Sequence, residues 1–460
     1  MTRIVNHSQF GGKELHFFPA YDRIIRQRRD TVIFVASVCI ITCVLLIGLV
    51  FLKPSVKIGQ EQISIYWLAP LLGALVLALS GSLSLSEIGK GLTAPTAMNP
   101  LKILVLFFSM TLISVFLDAA GFFRFLAERM LSRAKGSQRS LFLTLYLTVA
   151  VLTVFTSNDI IVLTFTPFIC YFTRNAKIDP LPYLFCEFIA ANTWSMILII
   201  GNPTNIYLAT GAEVTFFDYF KVMALPTLLA GLGSLAMLLL LFRKKLQEPL
   251  RPSAPAVHRL DRPLVGLGVT HLALCILFLV LSSYVNLPMW LIALAAFLSL
   301  FLSASAYLLL RGRSLVVIRE TLKRTPLEMA PFVLSMFVLV LALEKYGVTR
   351  TLADLLNRFP AAWSYGISSF LAANLMNNIP MSVLFERITA GGEAAALYAA
   401  VIGSNLGAFC TPIGALAGIM WMQLLRAHEI RLSFGRFTRY GALIALPALA
   451  LAILGLVIIS

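Results

Sequence analysis

Apolar runs of about 20 residues recur from residue 31 to the end of the chain, separated by short polar or basic stretches. Each run is long enough to cross the ~30 Å hydrocarbon core of a bilayer. None shows the period-two alternation of barrel strands. The pattern predicts crossings at 31–53, 63–81, 101–118, 181–208 and 218–242, then at 263–285, 288–310, 326–343, 395–423 and 438–459. Residues 1–30 are polar, with Arg23, Arg26, Arg28 and Arg29, and are expected to form a tail or an interfacial helix.

Two segments depart from this pattern. Residues 141–172 are broken by Thr156, Ser157, Asn158 and Asp159, leaving limbs of about 15 residues, too short to cross comfortably. Residues 364–390 are broken in the same way at Asn377-Asn378-Ile379-Pro380. Each predicts a re-entrant helical hairpin with its tip near the midplane, where irregular backbone survives only against protein or a wet cavity. Two crossings are interrupted as well. Gly201-Asn202-Pro203-Thr204-Asn205 breaks the fourth, because Pro203 removes a backbone donor and disfavours helix at Asn202. Thr411-Pro412 breaks the ninth. Phe122, Phe125, Leu126 and Met130 at helical spacing predict a surface helix, and 347–358 predicts its counterpart.

The basic, proline-rich stretch 243–262 separates a first membrane repeat, 31–242, from a second, 263–460. Leu117 to Gly121 answers Leu343 to Gly347, and Asn192 to Gly201 answers Asn405 to Gly414 without a gap. Each repeat holds five crossings and one hairpin. Five is odd, so the second repeat is inverted relative to the first. The expected fold is an all-α polytopic membrane protein of two inverted repeats.

Composition excludes several function classes. The chain is 59% hydrophobic and 13% charged, against about 45–50% and 25% in globular domains. The net charge of +16 reads as basic loops facing an anionic cytoplasmic leaflet, not as a nucleic-acid surface. Placing 119–140, 243–262, 311–325 and 424–439 in the cytoplasm puts most Lys and Arg inside, with the basic tail outside. The plasma (inner) membrane is the expected location. The six cysteines lack metal-ligand spacing and the five histidines are scattered, so no enzyme is expected. Without a nucleotide-binding P-loop, coupling to an ion gradient or the membrane potential is expected.

The segments Leu117-Asp118-Ala119-Ala120-Gly121-Phe122-Phe123, Ser157-Asn158-Asp159, Asn192-Thr193, Met376-Asn377-Asn378-Ile379-Pro380, Val401 to Gly407 and Thr411-Pro412-Ile413-Gly414 carry a family likeness over about 31–460. The chain resembles the ion transporter superfamily of arsenite permeases, NhaD-type sodium–proton antiporters and sodium-coupled (citrate-transporter-like) carboxylate carriers, and is most similar to the arsenite-permease branch. It differs from that branch at Asn405, where the permeases carry an acid, and in its Gly201 to Asn205 run, which is similar to the strips of the sodium-coupled carriers. The resemblance implies a scaffold domain, a mobile transport domain carrying two opposed hairpins, and a homodimer.

The candidate site has two halves. Ser157, Asn158, Asp159, Asn192, Thr193, Gly201, Asn202, Thr204 and Asn205 form the first; Asn377, Asn378, Ser404, Asn405, Thr411 and Gly414 form the second. Amide oxygens, hydroxyls and unwound carbonyls suit a Na⁺ at Asn158, Asp159, Asn202 and Asn205, whereas amide N–H groups suit an anion. The alternative is an Asn–Asn clamp holding broken helices together. Asp159 is either a proton or cation carrier or a helix cap. Glu187, inside an apolar run, is either a proton carrier or a side chain that snorkels to the interface. Asp118 and Glu344 each precede a glycine by three residues, which suits a helix end. Cys410 reads as packing, with a thiol for a soft arsenic centre as the alternative. The expected function is a secondary transporter of elevator type, moving a small anion or an oxyacid such as arsenite, coupled to H⁺ or Na⁺. A Na⁺/H⁺ antiporter using Asp159 and a channel-like anion permease are the alternatives.

Overall fold

In hydrocarbon no water satisfies backbone N–H and C=O groups, so the apolar stretches must bond within themselves as helices. The structure, a computed structural model, describes residues 18–52, 55–58, 61–95, 99–133, 136–212, 214–249, 261–282 and 287–460. Apart from one antiparallel strand pair, β1 (Ser55–Ile58) with β2 (Glu61–Ser64), the regular elements described are helical.

The first half runs α1 (Phe18–Leu52), α2 (Leu68–Leu79), α3 (Leu85–Thr93), α4 (Pro100–Ala119), α5 (Phe122–Arg133), α6 (Gln138–Phe155), α7 (Asn158–Ala176), α8 (Leu181–Trp194), α9 (Pro203–Gly211) and α10 (Phe216–Phe242). The second runs α11 (Arg262–Val280), α12 (Met289–Leu310), α13 (Val316–Lys323), α14 (Met329–Lys345), α15 (Val348–Leu356), α16 (Ala361–Met376), α17 (Asn378–Thr389), α18 (Ala394–Gly407), α19 (Leu416–Ala427) and α20 (Phe434–Ile459). Among the described residues the two halves match, α-helix for α-helix.

The packing is reciprocal between the halves. Helix α4 is flanked by α11, α12 and α13 of the second half, and α14 by α1, α2 and α3 of the first. Helix α7 packs on α19, and α9 on α17. Within each half α6 packs on α8 and α16 on α18, while α10 and α20 pack on each other. Two groups of helices result. One is built around α4 and α14; the other holds both hairpins, α6–α7 and α16–α17, with the broken crossings. Two side-chain links join the groups at corresponding places. Thr164 on α7 donates to Asp118 at the end of α4 at 3.0 Å, and Arg387 on α17 reaches Glu344 at the end of α14 at 3.2 Å. Gly121 and Gly347 follow these acids in the left-handed conformation and donate back to Asp118 O and Glu344 O, so the acids also mark two glycine-ended helices.

Some boundaries differ from the sequence expectation. Residues 18–30 continue α1 rather than forming a tail; residues 1–17 and 250–260 of the linker lie outside the described residues. Helix α2 begins only at Leu68, because Glu61–Ser64 pairs as a strand. The first hairpin's limbs are 18 and 19 residues, longer than expected, and the second's are 16 and 12. Among the described residues seven helices are long and apolar enough to cross a bilayer, α6 included. Four expected crossings are not among them: the fourth and ninth are broken, α2 is only 12 residues long, and α14, at 17 residues, is long enough only together with α15, from which it is bent by 78°.

The surface helix α3 is held by a capping box between Ser84 and Glu87. Lys345 hydrogen-bonds Glu87, and with the Ser84 bonds it holds this carboxyl down to about 2. A depressed carboxyl stabilises above its unfolded-state value, near 4.3, and that contribution is lost as pH falls towards 2. Lys345→Met is expected to return Glu87 towards the ordinary carboxylate range. Titration of the Glu87 side chain by NMR checks this, with an unchanged midpoint as the contrary result.

Candidate functional site

At the first hairpin tip, Thr156 and Ser157 are extended, and α7 starts at Asn158. The Asn158 amide donates to Asn192 Oδ1 at 3.0 Å, and Asn192 donates to Phe188 O at 2.8 Å. The tip therefore stops at the end of α8, where that crossing unwinds into two 3₁₀ turns before α9. Asn202 caps α9 through Thr204 N at 3.1 Å. Gly201 must be glycine: a Cβ there would lie 2.2 Å from Ser195 O.

The second tip repeats this plan. Asn377, at φ +77°, caps α17 through Ile379 N and donates to Ile413 O at 2.9 Å. Asn378 N donates to Gly414 O at 3.0 Å, so this tip stops at the break between α18 and α19. A Cβ on Gly414 would lie 2.2 Å from Gly407 O. Thr411 donates to Asn374 Oδ1 at 2.7 Å. An Asn377 backbone at positive φ is strained for a residue with a Cβ, and such strain gathers at functional sites.

Asn405 is not part of the second tip. Its amide donates to Asn205 Oδ1 at 2.7 Å and Val401 O at 2.9 Å, and its oxygen accepts from Ser195 Oγ and Asn202 Nδ2, each at 2.9 Å. Asn205 in turn donates to Ser195 O and Leu198 O. All four side chains are buried. This is the clamp alternative, realised across the two halves. It also occupies Asn202 and Asn205, two of the four residues expected to bind Na⁺.

The unoccupied polar atoms lie elsewhere. Ser157 Oγ, Asn158 Oδ1, Thr193 Oγ1, Thr204 Oγ1 and Ser404 Oγ are buried without a hydrogen-bond partner. Buried polar atoms are rarely left so, and such orphans mark ligand or ion positions or strain. Ser157 and Asp159 line a cavity of about 720 Å³, its open mouth included, shared with Thr111 of α4, Arg324 and Glu328 before α14, and Gln423 of α19. The Asp159 carboxylate is half-buried and makes no hydrogen bond or ion pair among the described residues, so it caps nothing. Arg324, by contrast, is paired with Asp118 at 2.5 Å. With Asp159 and Glu328 in the lining and Arg324 already engaged, the cavity carries excess negative charge.

Sequence reasoning missed Ser195, Asn374 and the cavity's Arg324, Glu328 and Gln423. Asn374 was visible as a further polar interruption three residues before Asn377. The others are set by tertiary contact and had no local signal. Glu187 does not snorkel: it is fully buried, with Thr166 Oγ1 3.3 Å from both carboxylate oxygens. Cys410 is half-buried and free.

Gly201→Ala and Gly414→Ala are each expected to abolish transport, because the clash is with backbone and the unwound strip must shift. Initial rates in vesicles from cells making equal amounts of protein check this. Wild-type rates in both variants would mean that the strips tolerate displacement.

The citrate transporter family profile matches residues 61–396. Among curated proteins, the chain is 28% identical over 428 residues to an arsenical pump membrane protein of Escherichia coli, covering 88% of this chain and 96% of that one. It is 24% identical over 401 residues to a putative arsenical pump membrane protein of Bacillus subtilis (strain 168), covering 80% and 88%. Among solved structures, the Alcanivorax borkumensis YdaH transporter, described as having an unusual topology, matches with a TM-score of 0.53 at 16% identity over 93% of this chain and 98% of that one.

Proposed function

The chain belongs to the citrate transporter family of multi-pass membrane transporters, and on that premise we propose that it is a secondary transporter of elevator type for a small oxyacid, coupled to H⁺ or Na⁺. The observation that carries this reading is the cavity at the first hairpin tip, with the unpartnered Asp159 carboxylate and two orphaned oxygens beside it. The hairpin group touches the α4–α14 group through few polar links, which suits a body that slides against a scaffold. Inverted repeats with broken helices suit alternating access over a fixed pore. With the basic loops in the cytoplasm, Arg324, Glu328 and Gln423 lie at that face, and the cavity opens inward.

The charge of the lining favours a neutral oxyacid, as arsenite is when protonated, over a tricarboxylate that would meet two carboxylates. The relatives named as arsenical pumps support the same choice. Ser157 Oγ and Asn158 Oδ1 are hard oxygen donors without partners, and with Asp159 they fit a Na⁺. Such an ion would neutralise Asp159 and join the tip to the cargo site. The Na⁺/H⁺ antiporter is the second reading, favoured by the same free carboxylate. Proteoliposomes separate the two. Arsenite movement driven by an imposed Na⁺ or H⁺ gradient supports the oxyacid transporter. Proton release on Na⁺ addition, with no arsenite or citrate flux, overturns it in favour of the antiporter.

A further inference from the structure

The second hairpin carries a buried carboxyl that the cargo site does not use. Glu386 on α17 is 4% exposed. Its Oε2 accepts from Arg387 Nε at 3.1 Å, and its Oε1 is buried with no partner. Arg387 is shared: its Nη1 reaches the half-exposed Glu344 at 3.2 Å, and its guanidinium lies 5.5 Å over the Phe337 ring of α14. One guanidinium thus serves two carboxylates, one of them buried, and a buried charge that is not fully compensated takes a proton instead.

Other groups do not make up the deficit. Helices α9, α14, α15, α16 and α18 pack on α17. Their other titratable residues are Tyr207, Lys345, Arg350, Asp354, Tyr365 and Tyr398. None of these bonds the Glu386 carboxylate among the described residues. Lys345 turns away to Glu87 and Ser82 O, and Arg350 and Asp354 are exposed. The Tyr207 hydroxyl is itself buried and without a partner.

We infer that Glu386 is a proton-binding carboxyl whose occupancy is set by whether Arg387 is shared with Glu344 or left to Glu386 alone as the second hairpin moves. This rests on the reading of the chain as a transporter whose hairpins slide against α4 and α14. In the arrangement seen, Arg387 is divided between Glu344 at the end of α14 and Glu386 Oε2, and Glu386 takes one proton at Oε1. When the hairpin moves off, Arg387 loses Glu344 and its charge falls wholly to Glu386, which releases the proton to water. The first hairpin has no such device. Matching Asn158 to Asn378 puts Thr166 opposite Glu386 and Pro167 opposite Arg387, and that hairpin meets Asp118 through the neutral Thr164.

The test is infrared difference spectroscopy of the purified full-length protein across pH, in wild type, Glu386→Gln, Glu344→Gln and Arg387→Gln, with Glu187→Gln as the control for the other buried carboxyl. The wild type should show a protonated-carboxyl band that Glu386→Gln removes and Glu187→Gln leaves in place. Removing the neighbouring anion in Glu344→Gln should lower the midpoint of that band. Removing the cation in Arg387→Gln should raise it, each by about one to three pH units. Opposite shifts distinguish a proton site from a packing role. Should Glu386→Gln not fold, the other two variants decide alone. Midpoints that move together, or not at all, overturn the proposal. Arsenite flux in everted vesicles forms a separate arm. Glu386→Gln should lose its response to a proton gradient, and wild type failing to move arsenite at all would count against the cargo, not against the titration of Glu386.

Discussion

Asn405→Ala is expected to lower the stability of the folded protein more than any change in the cavity, without touching a cavity-lining residue. The Asn405 amide uses both donors and accepts twice, from Ser195 and Asn202, with Asn205 on its other side. Truncation leaves Ser195 Oγ, Asn202 Nδ2 and Asn205 Oδ1 buried with a bond missing. An unmade buried bond costs about 1–3 kcal/mol in soluble proteins, and interhelical bonds in membranes average about 0.6 kcal/mol, so the total falls at about 2–4 kcal/mol. Thermal unfolding of the purified variant reads this directly. An unchanged midpoint would mean that the two broken crossings are held by packing alone. Asn405→Asp should also be destabilising, since a carboxylate cannot donate to Asn205 Oδ1 and Val401 O.

Asp159→Asn should do the reverse. The carboxylate has no partner among the described residues, so its loss leaves folding intact and removes the charge facing the cavity. A hydrogen bond to a charged group is worth about 1.5–3 kcal/mol, so cargo or coupling-ion binding should weaken roughly 10- to 150-fold. Binding isotherms for arsenite and for Na⁺ check this, and wild-type affinity for both would move the site elsewhere. Asn158→Ala should also abolish transport, by freeing the tip from Asn192 and removing the orphaned Oδ1.

The contrast between Asn405 and Asp159 also marks the reach of sequence reasoning. Periodicity and breaks located both hairpins and both unwound strips to within a few residues, because those features are local. The polar residues inside apolar runs pointed correctly to a buried network, since hydrocarbon leaves such groups no other solvent. Which asparagine met which was not local. Asn405 looked like the mirror of Asn192 by position, yet Asn192 bonds to its own hairpin tip at Asn158, while Asn405 bonds to the opposite strip at Asn202 and Asn205. The order of helices matches between the halves among the described residues, and Asp118 and Glu344 match as well, but Asn192 and Asn405 take different partners. Arg324 and Glu328, from the turn before α14, and Gln423, from α19, reach the cavity from two stretches of chain far from the first hairpin in sequence, and no local spacing relates them to it. Helix α1 and the limbs of the first hairpin run further than the apolar pattern predicts, because polar residues at a helix end do not by themselves break a helix.

The central claim is that the cavity beside Asp159 binds the transported species. Thermal unfolding of wild type and Asp159→Asn, with Na⁺, Li⁺, citrate and arsenite at two pH values, tests it most directly. A ligand at 100 times its Kd adds about 2.7 kcal/mol to a folded state that alone binds it. The expected result is an upward shift of the wild-type midpoint with arsenite, larger when Na⁺ or protons are supplied, and no shift in Asp159→Asn, whose ligand-free midpoint matches wild type. Equal shifts in both proteins would contradict the claim and place the binding site away from the first hairpin.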